Sequence, residues 1–385
     1  MLTLVEAVSL IQYAQQNPLR GLWGGYDISQ IPFAIYDDVD VVYLNHPNPP
    51  KDRPQHLVAA TSTEINGIYT ATIPIKIVGN DEQTLIPIAY HEGFHVYQQH
   101  HFVPIVADFF TAMSRYPELD ATYRTLCQLE ANVLLAEWST AKKITFMAHL
   151  GRMRRERLAH HDSLLNYERF LERNEGTAHY IEQQARQILY GVAPQLGDIG
   201  HGLTRFYQVG AGLCWLISEV DTEWVRRVEA GESLGDILFT LSHVVPDLSE
   251  LDYAQVEQAQ TELCAVAKQA VESRLEALNV KGTLIIKYRG VKPLYRAFNP
   301  STLTSMGDGR VVHRSMFQLI MPKYGKLVSD ETTVVDVMDT GELVIEAVPY
   351  TYTDRVLHID TPHIQAILSH IDKRGDSFFC MYEDA

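Results

Sequence analysis

The segment Thr84-Leu85-Ile86-Pro87-Ile88-Ala89-Tyr90-His91-Glu92-Gly93-Phe94-His95-Val96-Tyr97-Gln98-Gln99-His100-His101 decides how the rest of the chain is read. Thr84 is a helix-capping residue type, Pro87 is tolerated in a first turn, and the apolar pattern then runs to about His101. Residues four apart share one face of a helix, so His91 and His95 can aim imidazole nitrogens at a common point about 2.0–2.1 Å from each. Glu92 projects about 100° away from His91 and can reach a water there without being a ligand. Neutral imidazoles hold zinc while leaving positions open, and a neighbouring carboxylate can take a proton from an activated water. The expectation is a zinc site with His91 and His95 as ligands and Glu92 as general base.

Catalytic zinc needs a third protein ligand. His101 lies six positions after His95, an interval some zinc enzymes use, but those enzymes turn the chain back at a glycine where this one has Gln98. A helix that continues carries His101 to roughly the far side from His95. A glutamate from a second helix is the better donor, with Glu130, Glu137, Glu168, Glu172 and Glu175 as candidates. In Asn174-Glu175-Gly176-Thr177-Ala178-His179-Tyr180-Ile181-Glu182, small residues flank the first carboxylate and allow two helices to approach closely. That singles out Glu175.

Around this core the organisation changes twice. Leu2 to Gln16 has helical spacing that ends at Asn17-Pro18, and the β-branched and aromatic runs within 31–44 and 67–78 read as strands of one small sheet. HPNPPKDRP at 46–54 reads as a surface loop. From about Thr84 to Leu278 the pattern is helical, with long amphipathic stretches at 119–149 and 153–189 and further helices at 206–220 and 253–278. Arg152, Arg154, Arg155 and Arg157 read as a solvated helix face. Composition shifts at Asn279-Val280-Lys281-Gly282, and short β-type runs then alternate with glycine, with Asp308-Gly309-Arg310 as a turn. The predicted fold is α+β in three parts. Residues 1–80 hold the first helix and the sheet, 81–280 the helical active-site part of the same domain, and 281–385 a smaller, mainly β domain with no recognisable catalytic constellation.

HEGFH followed by NEGTA resembles the gluzincin peptidases, above all the aminopeptidase N and glycyl aminopeptidase groups. Tyr207-Gln208-Val209-Gly210-Ala211 resembles the YxxGA segment of those groups and comes in the right order. The resemblance implies a zincin-like domain, a peptide or protein substrate, Zn2+ held by His91, His95 and Glu175, Glu92 as base and later acid, and Tyr207 as hydrogen-bond donor to the oxyanion. It covers the motif region only. Here 79 residues separate His95 from Glu175, a much longer interval than in those groups, so the extra helices are an insertion. No segment resembling the GxMEN amine anchor lies upstream, so aminopeptidase specificity is not implied. Val209 stands where those groups usually have lysine. Four residues past Glu175, where thermolysin-like members place an aspartate, stands His179, a second possible donor to the oxyanion.

The composition limits the alternatives. With 385 residues, 46% hydrophobic and 21% charged, the chain can bury a sizeable core. Lys+Arg 32 against Asp+Glu 48 gives −16, a field that repels nucleic acid and anionic membranes. Cys127, Cys214, Cys264 and Cys380 lie far apart without a CxxC pair, which suits buried thiols in a reducing, cytoplasmic setting. The first residues lack the leading positive charge of a signal peptide, and no apolar run is long enough to span a membrane. The leading reading is a zinc metallopeptidase. The alternative is a catalytically inactive, peptidase-like zinc-binding or interaction protein.

Overall fold

The structure, a computed structural model, describes residues 1–54, 57–197, 199, 202–278, 282–291, 295–299 and 302–380. It is a mixed α+β protein with three mostly antiparallel sheets and a β-rich C-terminal region. The predicted change of composition at 279–281 lies outside the described residues.

The N-terminal part comprises α1 (Leu4–Gln16), β1 (Phe33–Tyr36), β2 (Val41–Leu44), β3 (Thr61–Ile65), β4 (Ile68–Pro74), the short α2 (Ile75–Val78) and α3 (Glu82–His101). The strands run in the order β2-β1-β4-β3, with β1 parallel to β4 and the other pairs antiparallel, so β3 is an edge. The sheet packs on α3 at close range. A Cβ on Gly93 would lie 2.8 Å from the Tyr26 hydroxyl and 3.2 Å from the Phe33 ring, so the middle residue of HEGFH has to be glycine for β1 to sit there. The helix begins two residues earlier than Thr84, because the Asp81 side chain accepts from the Thr84 N–H at 2.8 Å and caps it. Pro87 therefore sits one turn inside the helix, and the Gln83 carbonyl that its missing N–H leaves unpaired accepts from Arg186 at 3.5 Å.

The helical part continues with α4 (Phe109–Arg115), α5 (Ala121–Leu135), α6 (Thr140–Arg157), α7 (Asp162–Tyr190), α8 (Leu203–Ser218), α9 (Trp224–Glu229), α10 (Leu234–Leu241) and α11 (Tyr253–Ala277). The expected stretch 119–149 is split at Ala136, and a second break falls after Arg157. The long α7 is the centre of this part, packed against α3 on one side and α8 on the other. Gly176 and Gly210 make the second contact possible. A Cβ on Gly176 would meet the Gly210 Cα at 2.4 Å, and one on Gly210 would meet the Glu172 carbonyl oxygen at 2.5 Å.

The arginine run of α6 is a solvated face only in part: Arg157 is exposed and Arg152 half-buried, but the two between them are not. Arg154 and Arg155 are only 3% and 9% exposed. Arg154 donates to both oxygens of Glu130 at 3.1 Å and pairs with Glu168, while Arg205 pairs with Glu130 and Arg155 with Asp236. Tyr116 adds a hydrogen bond to Glu168 at 2.7 Å. Charges this deep persist only when paired, and here three carboxylates, Glu130, Glu168 and Glu172, are answered by Arg154, Arg155 and Arg205.

The C-terminal strands are β5 (Leu284–Lys287), β6 (Tyr295–Phe298), β7 (Leu303–Ser305), β8 (Arg310–His313), β9 (Phe317–Met321), β10 (Gly325–Ser329), β11 (Val334–Val337), β12 (Glu342–Ile345), β13 (Thr351–Thr353), β14 (Val356–Asp360), β15 (Ile364–Leu368), β16 (Ile371–Arg374) and β17 (Ser377–Cys380). They form a six-stranded sheet, β13-β14-β15-β10-β9-β6, and a seven-stranded one, β16-β17-β5-β12-β11-β8-β7. Period-two burial, as in β15 with Ile364, Ala366 and Leu368 inside, turns one face of each sheet to a shared core. This region is not a separate appendage. Leu303 and Val311 join Met113, Tyr116, Tyr167 and Phe206 in one apolar cluster that seals it against the helices. All four cysteines are buried and free. Among the described residues, no helix is long and apolar enough to cross a membrane.

Candidate metal centre

The contact between α3 and α7 brings three side-chain atoms together. His91 Nε2 and His95 Nε2 lie 3.2 Å apart, and Glu175 Oε2 is 3.7 Å from the first and 3.3 Å from the second. An ion held tetrahedrally by bonds of about 2.0–2.1 Å sets its ligand atoms about 3.3–3.4 Å apart, so the three atoms stand near the corners such an ion needs. Glu175 Oε2 is buried and has no hydrogen-bond partner among the described residues.

The outer nitrogens of both imidazoles are tied back. His91 Nδ1 lies 3.1 Å from Glu182 Oε2, and His95 Nδ1 lies 2.7 Å from Gln98 Oε1. The Gln98 amide donates in turn to the Asn174 carbonyl and to Thr177 Oγ1, both at 2.8 Å. Each histidine thus donates outward from Nδ1, which leaves Nε2 as the atom free to ligate once it has lost any proton, the arrangement that metal-ligating histidines adopt. Two ring nitrogens at 3.2 Å beside a carboxylate need a positive charge between them, a proton on one ring in the metal-free protein or a metal ion in its place. The electrostatics agree. Burial opposes an imidazolium at His91, yet the Glu175 and Glu182 carboxylates outweigh it and push its pKa up to about 10. His95 is also raised, and Glu175 and Glu182 are held well below the usual carboxylate range, because the histidines overcome the cost of burial. The pocket is short of positive charge. A metal ion of the class that imidazole and carboxylate hold would supply it.

Glu92 is 7% exposed, and its Oε2 is buried with no hydrogen-bond partner among the described residues. Burial raises its pKa against the attraction of His91 and His95, which gives a more basic carboxylate than one in water. Tyr207, on the first turns of α8, lies parallel to the His91 ring with centroids 5.8 Å apart. Burial, then the nearby carboxylates of Glu175 and Glu92, hold its phenol well above the ordinary range, so it keeps its proton.

His179 sits behind the cluster. Its Nδ1 is 2.9 Å from Glu182 Oε2, and its Nε2 lies 2.8 Å and 3.2 Å from the amide nitrogens of Gln183 and Gln208. Both ring nitrogens are engaged, which makes it an orienting partner of Glu182. His91, His179 and Glu182 are also close enough to be counted as a metal-capable group, but their facing atoms already share these hydrogen bonds. His101 stays outside, stacked on Tyr97 with centroids 4.0 Å apart at the end of α3. Glu130, Glu168 and Glu172 belong to the arginine network, and Glu137 is exposed.

Two residues of the site went unread in the sequence, Gln98 and Glu182. Glu182 lies seven positions after Glu175, two helical turns, so both face α3. Gln98 occupies the position where a chain-turning glycine would have made His101 a ligand. Periodicity alone held these signals, and both residue types are also common on solvated faces.

A cleft of about 770 Å3 opens onto the centre, with Glu175 and Tyr207 in its wall. Its other walls are Val58 to Thr63 along the free edge of β3, Phe109 and Leu171 from the helices, and Arg296 to Asn299 with Met316 from the C-terminal sheets. A further cavity of about 690 Å3 shares Val58 and Met316 with it. No protein-family model, curated protein or solved structure matches the chain.

Proposed function

We propose that this protein is a zinc-dependent metallopeptidase of gluzincin type, in which β1–β4, α3, α7 and α8 form a zincin-like domain and the residues from 281 onward form a second, mainly β domain. The observation that carries the reading is the convergence of His91 Nε2, His95 Nε2 and Glu175 Oε2 with both Nδ1 atoms tied back to Glu182 and Gln98. Two imidazoles and one carboxylate are the ligand set of hydrolytic zinc sites that keep a position open. When bound, zinc supplies Lewis acidity that makes water a competent nucleophile near neutral pH.

The chain's own residues do the rest. Glu92 takes the proton from the attacking water and returns it to the leaving amine, a task suited to a buried carboxylate of raised pKa. Tyr207 donates its phenolic hydrogen to the carbonyl oxygen as negative charge develops there. His179 and Gln98 hold the histidine system in register. An extended peptide would enter along β3, whose outer edge has no strand partner among the described residues, and pair its backbone with it. A neighbouring cavity that shares Val58 and Met316 with the cleft would give room for further residues, which favours cleavage within a chain over removal of a terminal residue.

Metal analysis of the purified chain, combined with digestion of a peptide library, tests this. The expected result is one zinc per chain and cleavage that a chelator abolishes and added zinc restores. Stoichiometric zinc without cleavage of any library member would instead identify a binding protein built on a peptidase scaffold.

A further inference from the structure

A second charge cluster lies away from the metal centre, where α5, the start of α8, α11 and the β7–β8 hairpin meet around a cavity of about 360 Å3. Arg124, Arg274 and Arg314 line it, with Glu118 as the one acidic group in its wall among the described residues. Each guanidinium carries five N–H donors. Arg274 uses one, on Thr333 Oγ1 at 3.3 Å, and Arg314 uses one, on the Thr302 carbonyl at 3.2 Å. The Arg124 side chain makes no hydrogen bond among the described residues, and its Nε is buried. None of the three forms an ion pair with a carboxylate among the described residues, whereas the arginines of α6 do so repeatedly. Glu118 is committed elsewhere. One oxygen accepts from the Ser305 N–H at 2.8 Å, and the other lies over Gly202, where a Cβ would meet it at 2.7 Å. Burial pushes its carboxyl up to about 7 in spite of Arg124 and Arg314.

Three cations against one carboxylate form a local positive pocket in a chain whose net charge is −16. The N-terminus of α8, which has no side-chain cap, opens beside it and adds the positive end of a helix dipole. The cavity is at the lower end of the range for small-molecule sites, about 300–1,000 Å3, too small for a macromolecule. Guanidinium groups from three elements, Arg124 half-buried and Arg274 and Arg314 exposed at the mouth, suit an acceptor with oxygens pointing in several directions, as phosphate has and a lone carboxylate has not. We propose that this cavity binds a small phosphorylated ligand carrying at least two negative charges, with Arg124, Arg274 and Arg314 as its anchors.

Titration of the full-length protein with inorganic pyrophosphate, followed calorimetrically, tests the assignment. One pyrophosphate per chain is expected, with affinity that falls as salt is added. Arg124→Gln should weaken binding at least about tenfold, the scale of a lost charge-assisted hydrogen bond. Glu118→Gln should tighten it by removing the opposing charge. A variant is scored only if its circular dichroism and melting temperature match the parent, and Arg274→Gln, on the rim, is the alternative should Arg124→Gln fail to fold. Absence of binding at millimolar pyrophosphate would overturn the proposal. So would binding that survives both arginine substitutions or is lost in His95→Ala, since the anion would then sit at the metal centre.

Discussion

Among single residues, Glu182 and Gln98 set the candidate metal site apart from two histidines that merely share a helix face. Each takes the Nδ1–H of one imidazole and so leaves Nε2 as the atom free to ligate. Glu182→Gln should therefore weaken zinc binding by about 10–100-fold, the scale typical of lost outer-shell partners, measurable by competition with a chromophoric chelator. Proton release is a second expectation. The His91 imidazolium, raised to about 10 by Glu175 and Glu182, is populated at neutral pH in the metal-free protein and must lose its proton to bind an ion. Zinc affinity should then rise with pH through the neutral range, and calorimetry in buffers of different ionisation enthalpy should show protons released on binding. Unchanged affinity between acidic and neutral pH would contradict this. His91, Glu92 and His95 were legible because four-residue spacing on a helix is a local property. Gln98 and Glu182 were not, because their role exists only after α7 has been laid against α3.

Among elements, the site depends on how α7 sits between α3 and α8. The small residues beside Glu175 were correctly read as permitting close approach, but they serve different neighbours. Thr177 accepts from Gln98 on α3, whereas Gly176 meets Gly210 on α8. Gly176→Ala places a methyl 2.4 Å from the Gly210 Cα, so the helices must separate. Overpacking of this kind costs about 1–3 kcal/mol, and here it should also move Tyr207 away from Glu175, lowering turnover more than zinc affinity. Chemical denaturation and a zinc titration on the same sample separate the two effects. The arginine run on α6 was misread for a related reason. A charge run viewed along one helix looks solvated, as Arg157 is, and only the arrival of Glu130, Glu168 and Arg205 from other helices buries Arg154.

For the whole molecule, the helices between His95 and Glu175 and the C-terminal sheets both bear on the site. The helices between His95 and Glu175 supply Glu130, Arg154 and Glu168 to a buried charge network that Arg205 of α8 completes. Glu168→Ala leaves Arg154 and Arg205 short of a counter-charge and should destabilise the fold by about 3–5 kcal/mol in denaturant unfolding. The C-terminal sheets supply Arg296 to Asn299 and Met316 to the cleft wall, a contact between segments far apart in sequence that no local pattern could reveal. What the whole architecture frames is a carboxylate beside two histidines, and its role is the claim on which the account rests. The most direct test is the rate of peptide cleavage by Glu92→Gln loaded with zinc to the same stoichiometry as the parent. Loss of a general base predicts a fall in kcat of about 10²–10⁴-fold with zinc retained; an unchanged rate would contradict the account.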